Sequence, residues 1–191
     1  IKNYINKARE NKLRIYSFCD DYYINNNLGN KKTLNYALNI LKRLKLLKIK
    51  KYIIPLYGKS FLKKKNELNA IKHISQIGKI CSKYKIELLI ESNMSPEKFY
   101  EIKKKVSHKN LFFVFDTGNR ITLKRDFQSD INLLGKNIKH VHLKDKNKLK
   151  KNVNIGKGLV DFNLLFSSLK NIDYKGSFSI ESQRGYNIHS Q

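Results

Sequence analysis

The feature that most constrains this chain is a regular alternation of two kinds of segment. Apolar runs of strand length occur at residues 13–18, 50–58, 86–92, 111–119, 138–145 and 176–182. Between them, apolar residues recur at three- and four-residue spacing over 33–47, 67–84, 95–106 and 161–172, the helical period. Ser95 is placed to cap one helix, with Pro96 at its first position, and Asp161 to cap the last. Runs such as "LFFVF" and "IELLI" are continuously apolar, which fits parallel strands covered on both faces by crossover helices. Alternating βα units leave two architectures, an open doubly wound sheet or a (β/α) barrel. The segments "DTGN" and "NIGKG" lack the spacing of a dinucleotide fingerprint, so an α/β barrel is the expected fold.

At 191 residues and 40% hydrophobic, the chain suffices for a single domain over 1–191. No apolar run approaches the roughly 20 residues that span a bilayer, and the first residues lack the apolar core of a signal peptide. A cytoplasmic protein with no membrane partner is expected. Cys19 and Cys81 stand far apart without CxxC spacing, which predicts reduced, buried thiols. The formal charge of +25 suggests phosphate binding. However, only six of the 40 basic residues are arginine, and the lysine runs at 63–65 and 103–105 fall on the polar sides of predicted helices. That pattern predicts a solvated lysine-rich exterior and no specific nucleic-acid partner.

Four consecutive runs end in a group that can bind metal: Glu91, Asp116, His142 and Glu181. Their separations of 25, 26 and 39 residues are close to one βα unit each, the longest including the polar segment 144–158. In a barrel the C-terminal strand ends converge on the face where the βα loops build the active site. Two Glu, one Asp and one His form an oxygen and nitrogen set suited to Mn²⁺, Mg²⁺ or Co²⁺ rather than a soft, thiolate-bound ion. His140 shares a face with His142, one pleat deeper, where a buried hydrogen-bonding role is expected.

The second half of the chain also carries a composite motif. It reads Glu91, then Asp116-Thr117-Gly118, His142-x-Lys144-Asp145, Gly156-x-Gly158-x-x-Asp161-Phe162, and Tyr174-x-Gly176 before Ile180-Glu181. This pattern resembles the sugar phosphate isomerase/epimerase family, the xylose isomerase-like TIM barrels, over about residues 86–182. The resemblance implies a metal-dependent isomerase or epimerase acting on a sugar or sugar phosphate through an enediolate. It makes Glu91, Asp116, His142 and Glu181 the metal ligands, with Glu91 and Glu181 exchanging the roles of base and acid. Asn119 stands where many relatives carry a substrate-contacting histidine, and Lys144 and Arg184 are further candidates for contacts to hydroxyls or phosphate.

Counting back through this pattern makes the run at 13–18 the third strand. The expectation is an incomplete (β/α)8 barrel with about the last six βα units, lacking the first two. Six strands leave exposed edges, a route to homo-oligomers. Two other functions stand beside the isomerase: a DNA-repair endonuclease acting at abasic sites on the same barrel, and a non-catalytic barrel. The endonuclease needs further histidines, yet Phe18, Cys19, Pro55, Leu56, Tyr57 and Asn119 occupy their places.

Overall fold

The computed structural model describes residues 2–106, 108–123 and 125–182. They fall into two compact units, Ile1–Ser92 with Glu97–Phe112, and Asn93–Pro96 with Phe113–Gln191. Among the described residues no helix is long and apolar enough to cross a membrane.

The first unit opens with helix α1 (Lys2–Glu10), followed by strand β1 (Ser17–Cys19) and the short helix α2 (Tyr22–Asn25). Helix α3 (Lys31–Leu46) leads to β2 (Lys51–Pro55), and helix α4 (Lys64–Lys83) leads to β3 (Glu87–Glu91) and helix α5 (Pro96–Lys105). The three strands are parallel, with Ser17 beside Lys51 and Pro55 beside Glu91. All five residues of β2 are buried, as fits a strand covered on both faces, and its one charged residue, Lys51, pairs with Glu87 at 3.5 Å. Helix α3 buries Leu34, Ala37, Leu41 and Leu44, and α4 buries Ala70, Ile74, Ile77 and Cys81, each set tracing one helical face. The expected strand at 13–18 is realised only from Ser17 onward, although the Tyr16 carbonyl already accepts the Lys50 N–H at 2.9 Å. Helix α5 begins at Pro96, where the sequence placed it.

The second unit holds all but the first residue of β4 (Phe112–Asp116), the helices α6 (Thr117–Ile121) and α7 (Phe127–Leu134), and β5 (Ile138–Leu143). A two-stranded antiparallel hairpin follows, β6 (Asp145–Lys146) with β7 (Asn152–Val153), then helix α8 (Phe162–Asn171) and β8 (Ser177–Ile180). Strands β4, β5 and β8 are parallel. Their register places Asp116 beside His142 and His142 beside Ser179. The ladder continues past β8, where the Glu181 N–H donates to the Leu143 carbonyl at 2.9 Å. Asp161 caps α8 as expected, accepting from the Leu164 N–H at 2.9 Å.

Helices α6 and α7 answer to no helical pattern in the sequence. Helix α7 has only two turns, too short for its buried Phe127, Ile131 and Leu134 to stand out as a run in the sequence. What fixes these helices is charge. Arg120 is 1% exposed, yet its guanidinium donates to Asp130 at 2.9 Å and to the Met94 carbonyl at 2.8 Å. It lies over the rings of Phe113 and Phe115. Arg125 also donates to both Asp130 oxygens. A buried guanidinium is tolerated only when its donors are satisfied, and this network ties α6 to α7 and to the segment after β3.

Candidate metal centre

The motif Asp116-Thr117-Gly118-Asn119 sits where β4 becomes α6, and each of its residues has a separate task. Asp116, 2% exposed, caps α6 by accepting the Asn119 N–H on Oδ1 at 2.7 Å. The Asn119 side-chain amide donates to Asp116 Oδ2 at 3.0 Å, and Lys146 donates to the Asn119 Oδ1 at 3.1 Å. Thr117 bonds across to the next strand: its hydroxyl donates to the His142 carbonyl at 3.2 Å and accepts from the Lys144 N–H at 2.9 Å. Gly118 leaves room for the Lys144 stem, because a Cβ there would lie 2.7 Å from Lys144 Cγ. Asn119 thus orients Asp116, a role the sequence did not suggest.

Strand alternation then aims His142 at this carboxylate. His142, 2% exposed, has Nδ1 at 4.0 Å from Asp116 Oδ2 and 3.0 Å from Glu181 Oε1. Ligand atoms about 2.1 Å from one divalent ion at right angles lie about 3.0 Å apart, so this spacing fits a shared coordination shell. Burial holds the His142 pKa below the usual imidazole range, against the pull of Glu181 and Asp116. That favours the neutral ring, which is the form that ligates. One pleat deeper, His140 bonds to Ser177 Oγ at 2.7 Å and Ser179 Oγ at 3.1 Å. This is the buried hydrogen-bonding role expected of it.

Lys144 completes the cluster. Its ammonium lies 3.1 Å from Asp116 Oδ2 and forms a close ion pair with Glu181 Oε2. Burial works against the Lys144 charge, but Asp116 and Glu181 outweigh it and its pKa is raised. Burial alone would raise the Glu181 pKa; His142 and Lys144 reverse the direction and lower it. The second unit therefore brings Asp116, Asn119, His142, Lys144 and Glu181 together. Arg184 lies outside the described residues.

Glu91 belongs to the first unit, at the C-terminal end of β3, and is 7% exposed. The Tyr57 hydroxyl donates to its Oε1 at 3.3 Å, and the Cys19 thiol lies 4.0 Å from its Oε2. Cys81 is buried as expected, whereas Cys19 is exposed because its strand ends there. The sequence singles out Tyr57 and Cys19 as standing where an endonuclease would carry histidines, not as neighbours of Glu91.

Asp145 is the other residue whose importance the sequence understated. Fully buried, its carboxylate accepts backbone N–H groups from Lys146, Gly156, Gly158 and Val160 at 2.8–3.1 Å. It folds the polar segment back on itself. A Cβ on Gly158 would lie 2.2 Å from Asp145 Oδ1, which accounts for the second glycine of "GKG". The Ser182 hydroxyl, one residue beyond Glu181, reaches Asn154 of this segment at 3.3 Å.

The comparisons with known proteins bear on the fold and the family. An uncharacterized protein of Methanocaldococcus jannaschii is 31% identical over 126 residues, 60% of this chain and 43% of that protein. The chain thus spans less than half the length of the curated relative it matches. The structure of a D-tagatose 3-epimerase-like protein superposes with a TM-score of 0.79 at 22% identity, covering 96% of this chain and 76% of the other. A D-psicose 3-epimerase structure, determined in the presence of D-fructose, gives 0.77 at 18% identity over 96% and 69%. The profile of the xylose isomerase-like TIM barrel matches residues 1–190, and the chain belongs to that family.

Proposed function

We propose that this chain carries the metal site of a sugar or sugar-phosphate isomerase or epimerase, with Glu91, Asp116, His142 and Glu181 as ligands to Mn²⁺, Mg²⁺ or Co²⁺. The observation that carries the reading is the convergence of Asp116, His142 and Glu181 at ligand spacing. The structural neighbours named as sugar epimerases support a sugar substrate. Glu91 is assigned as the fourth ligand because it closes its own strand as Asp116 closes β4. The reading takes residues 1–191 as one such domain, working in the cytoplasm, where the free thiols of Cys19 and Cys81 would stay reduced.

A bound divalent ion would act as a Lewis acid toward the sugar's oxygens and lower the energy of the enediolate. The protein's own groups do the rest. Glu181, its carboxylate paired with the Lys144 ammonium, takes the proton next to the carbonyl, and Glu91 returns one on the other face, the two exchanging roles for the opposite epimer. Asn119 orients Asp116, and contacts to the substrate's hydroxyls or phosphate are assigned to Asn119 and Lys144 and, from the sequence alone, to Arg184. The endonuclease alternative gains no support from the remaining histidines. The His73 ring is engaged by the Leu28 carbonyl at 2.6 Å, His108 accepts from the Asn110 N–H, and His189 lies outside the described residues.

The test is solvent-hydrogen exchange in D₂O with the full natural protein at saturating Mn²⁺, over a panel of ketoses and ketose phosphates. Deuterium should enter the carbon next to the carbonyl. Glu181→Gln and Glu91→Gln should each slow exchange by about 10²–10⁴-fold, a loss that added metal does not restore. Full exchange by both variants at high Mn²⁺ would remove the glutamates from proton transfer.

A further inference from the structure

We propose that Lys144 is the resident cation of the Asp116–Glu181 pair and that a divalent ion enters the site by displacing it. This rests on the metal reading above. The ammonium and the His142 ring address the same two carboxylates: both approach Asp116 Oδ2, and they divide the two oxygens of Glu181 between them. Asp116 has little acceptor capacity left. Its Oδ1 takes the Asn119 N–H, and its Oδ2 takes the Asn119 amide as well as Lys144. An ion joining Asp116 Oδ2 to Glu181 would stand beside the ammonium in a partly buried setting, where two positive charges repel strongly. Of the groups on these carboxylates, the lysine is the one on a flexible stem; the Asn119 amide and the imidazole are fixed by helix and strand.

A second observation shows that the lysine's path is built into the fold. The stem runs across Gly118, where an added Cβ would meet Lys144 Cγ, Cδ and Cβ at 2.7, 3.0 and 3.1 Å. The Lys144 N–H is anchored on the Thr117 hydroxyl at 2.9 Å. The two residues that follow Asp116 thus direct the ammonium back onto it. Lys144 balances the carboxylate charge and holds both acids in position; once displaced, it leaves the pair still charged and becomes available at the rim of the site.

The experiment titrates Mn²⁺ by the electron paramagnetic resonance signal of the free ion, with the native protein, Lys144→Met and Gly118→Ala. It also maps amine acetylation by peptide mass spectrometry on the native protein with and without Mn²⁺. Lys144→Met should bind Mn²⁺ at least about tenfold more tightly, because a competing charge is gone. Gly118→Ala, which pushes the stem aside but keeps the charge, should shift affinity the same way by less. In the native protein Lys144 should be protected without Mn²⁺ and acetylated with it, a readout that needs no variant to fold. Unchanged or weaker binding by Lys144→Met, or labelling of Lys144 indifferent to Mn²⁺, would overturn the displacement while leaving the metal site standing. Absence of Mn²⁺ binding by the native protein would overturn the metal reading itself.

Discussion

Asp20, just past β1, and Asp116, at the end of β4, occupy similar positions in their units and are 4% and 2% exposed. Asp20 is held by hydroxyls and an amide: Tyr52 donates to Oδ2 at 2.9 Å, and Tyr36 and the Tyr22 N–H donate to Oδ1 at 3.1 and 3.3 Å. Tyr52 in turn shares a hydrogen bond of 2.6 Å with Tyr23, and the Tyr22 and Tyr36 rings stack at 3.7 Å. Burial pushes the Asp20 pKa up, and these hydrogen bonds restore only part of the difference. Asp116 instead faces an ammonium, an imidazole and a second carboxylate. The contrast shows that a buried acid at a strand end is not in itself a functional site. Donors locked into a packed aromatic cluster make it a structural post, because removing them would strand several hydroxyls. A single flexible cation makes it exchangeable.

Asp130 tests the contrast from the fixed extreme, because its partner Arg120 is a permanent cation with no route to solvent. Arg120→Met should destabilise the protein by about 3–5 kcal/mol in urea unfolding, the usual result of breaking a buried charged pair. A cost below about 1 kcal/mol would mean that Arg125 alone satisfies Asp130 and that the buried pair is dispensable.

A smaller and opposite effect is expected at Asp20. Its folded pKa lies above the ordinary 3.8, so over the window between the two values the native state holds more proton than the unfolded chain. The stability Asp20 contributes is then fully present below that window and is lost as pH rises through the folded pKa. Asp20→Asn does not titrate there, so native protein should lose stability relative to the variant as pH climbs from about 4 toward neutrality. Urea unfolding at several pH values would show this, and parallel profiles would contradict it.

Much of this was legible in the chain itself. Six strand-length runs and four helical patterns led to six parallel strands and α3, α4, α5 and α8, because continuous apolar runs and three-to-four spacing reflect burial directly. The placement of Asp116, His142 and Glu181 together follows from one side chain per strand end. Less visible were features set by polar geometry rather than period. Helices α6 and α7 depend on the Arg120–Asp130 pair, whose members lie ten residues apart and look like solvent groups in a lysine-rich chain. Asp145 reads as a surface acid until four backbone N–H groups are found on it. Lys144 was legible as a candidate contact to hydroxyls or phosphate, but not its seat over Gly118 and on Asp116.

The central claim is that Asp116, His142 and Glu181 form a site for a divalent ion in which the imidazole is a ligand. It is tested most directly by electron spin-echo envelope modulation of the Mn²⁺-loaded natural protein, which detects nitrogen bonded to the ion. The account predicts modulation from one histidine nitrogen, lost in His142→Gln and retained in His140→Gln, whose ring is engaged by Ser177 and Ser179. Bound Mn²⁺ without nitrogen modulation, or modulation that survives His142→Gln, would contradict it.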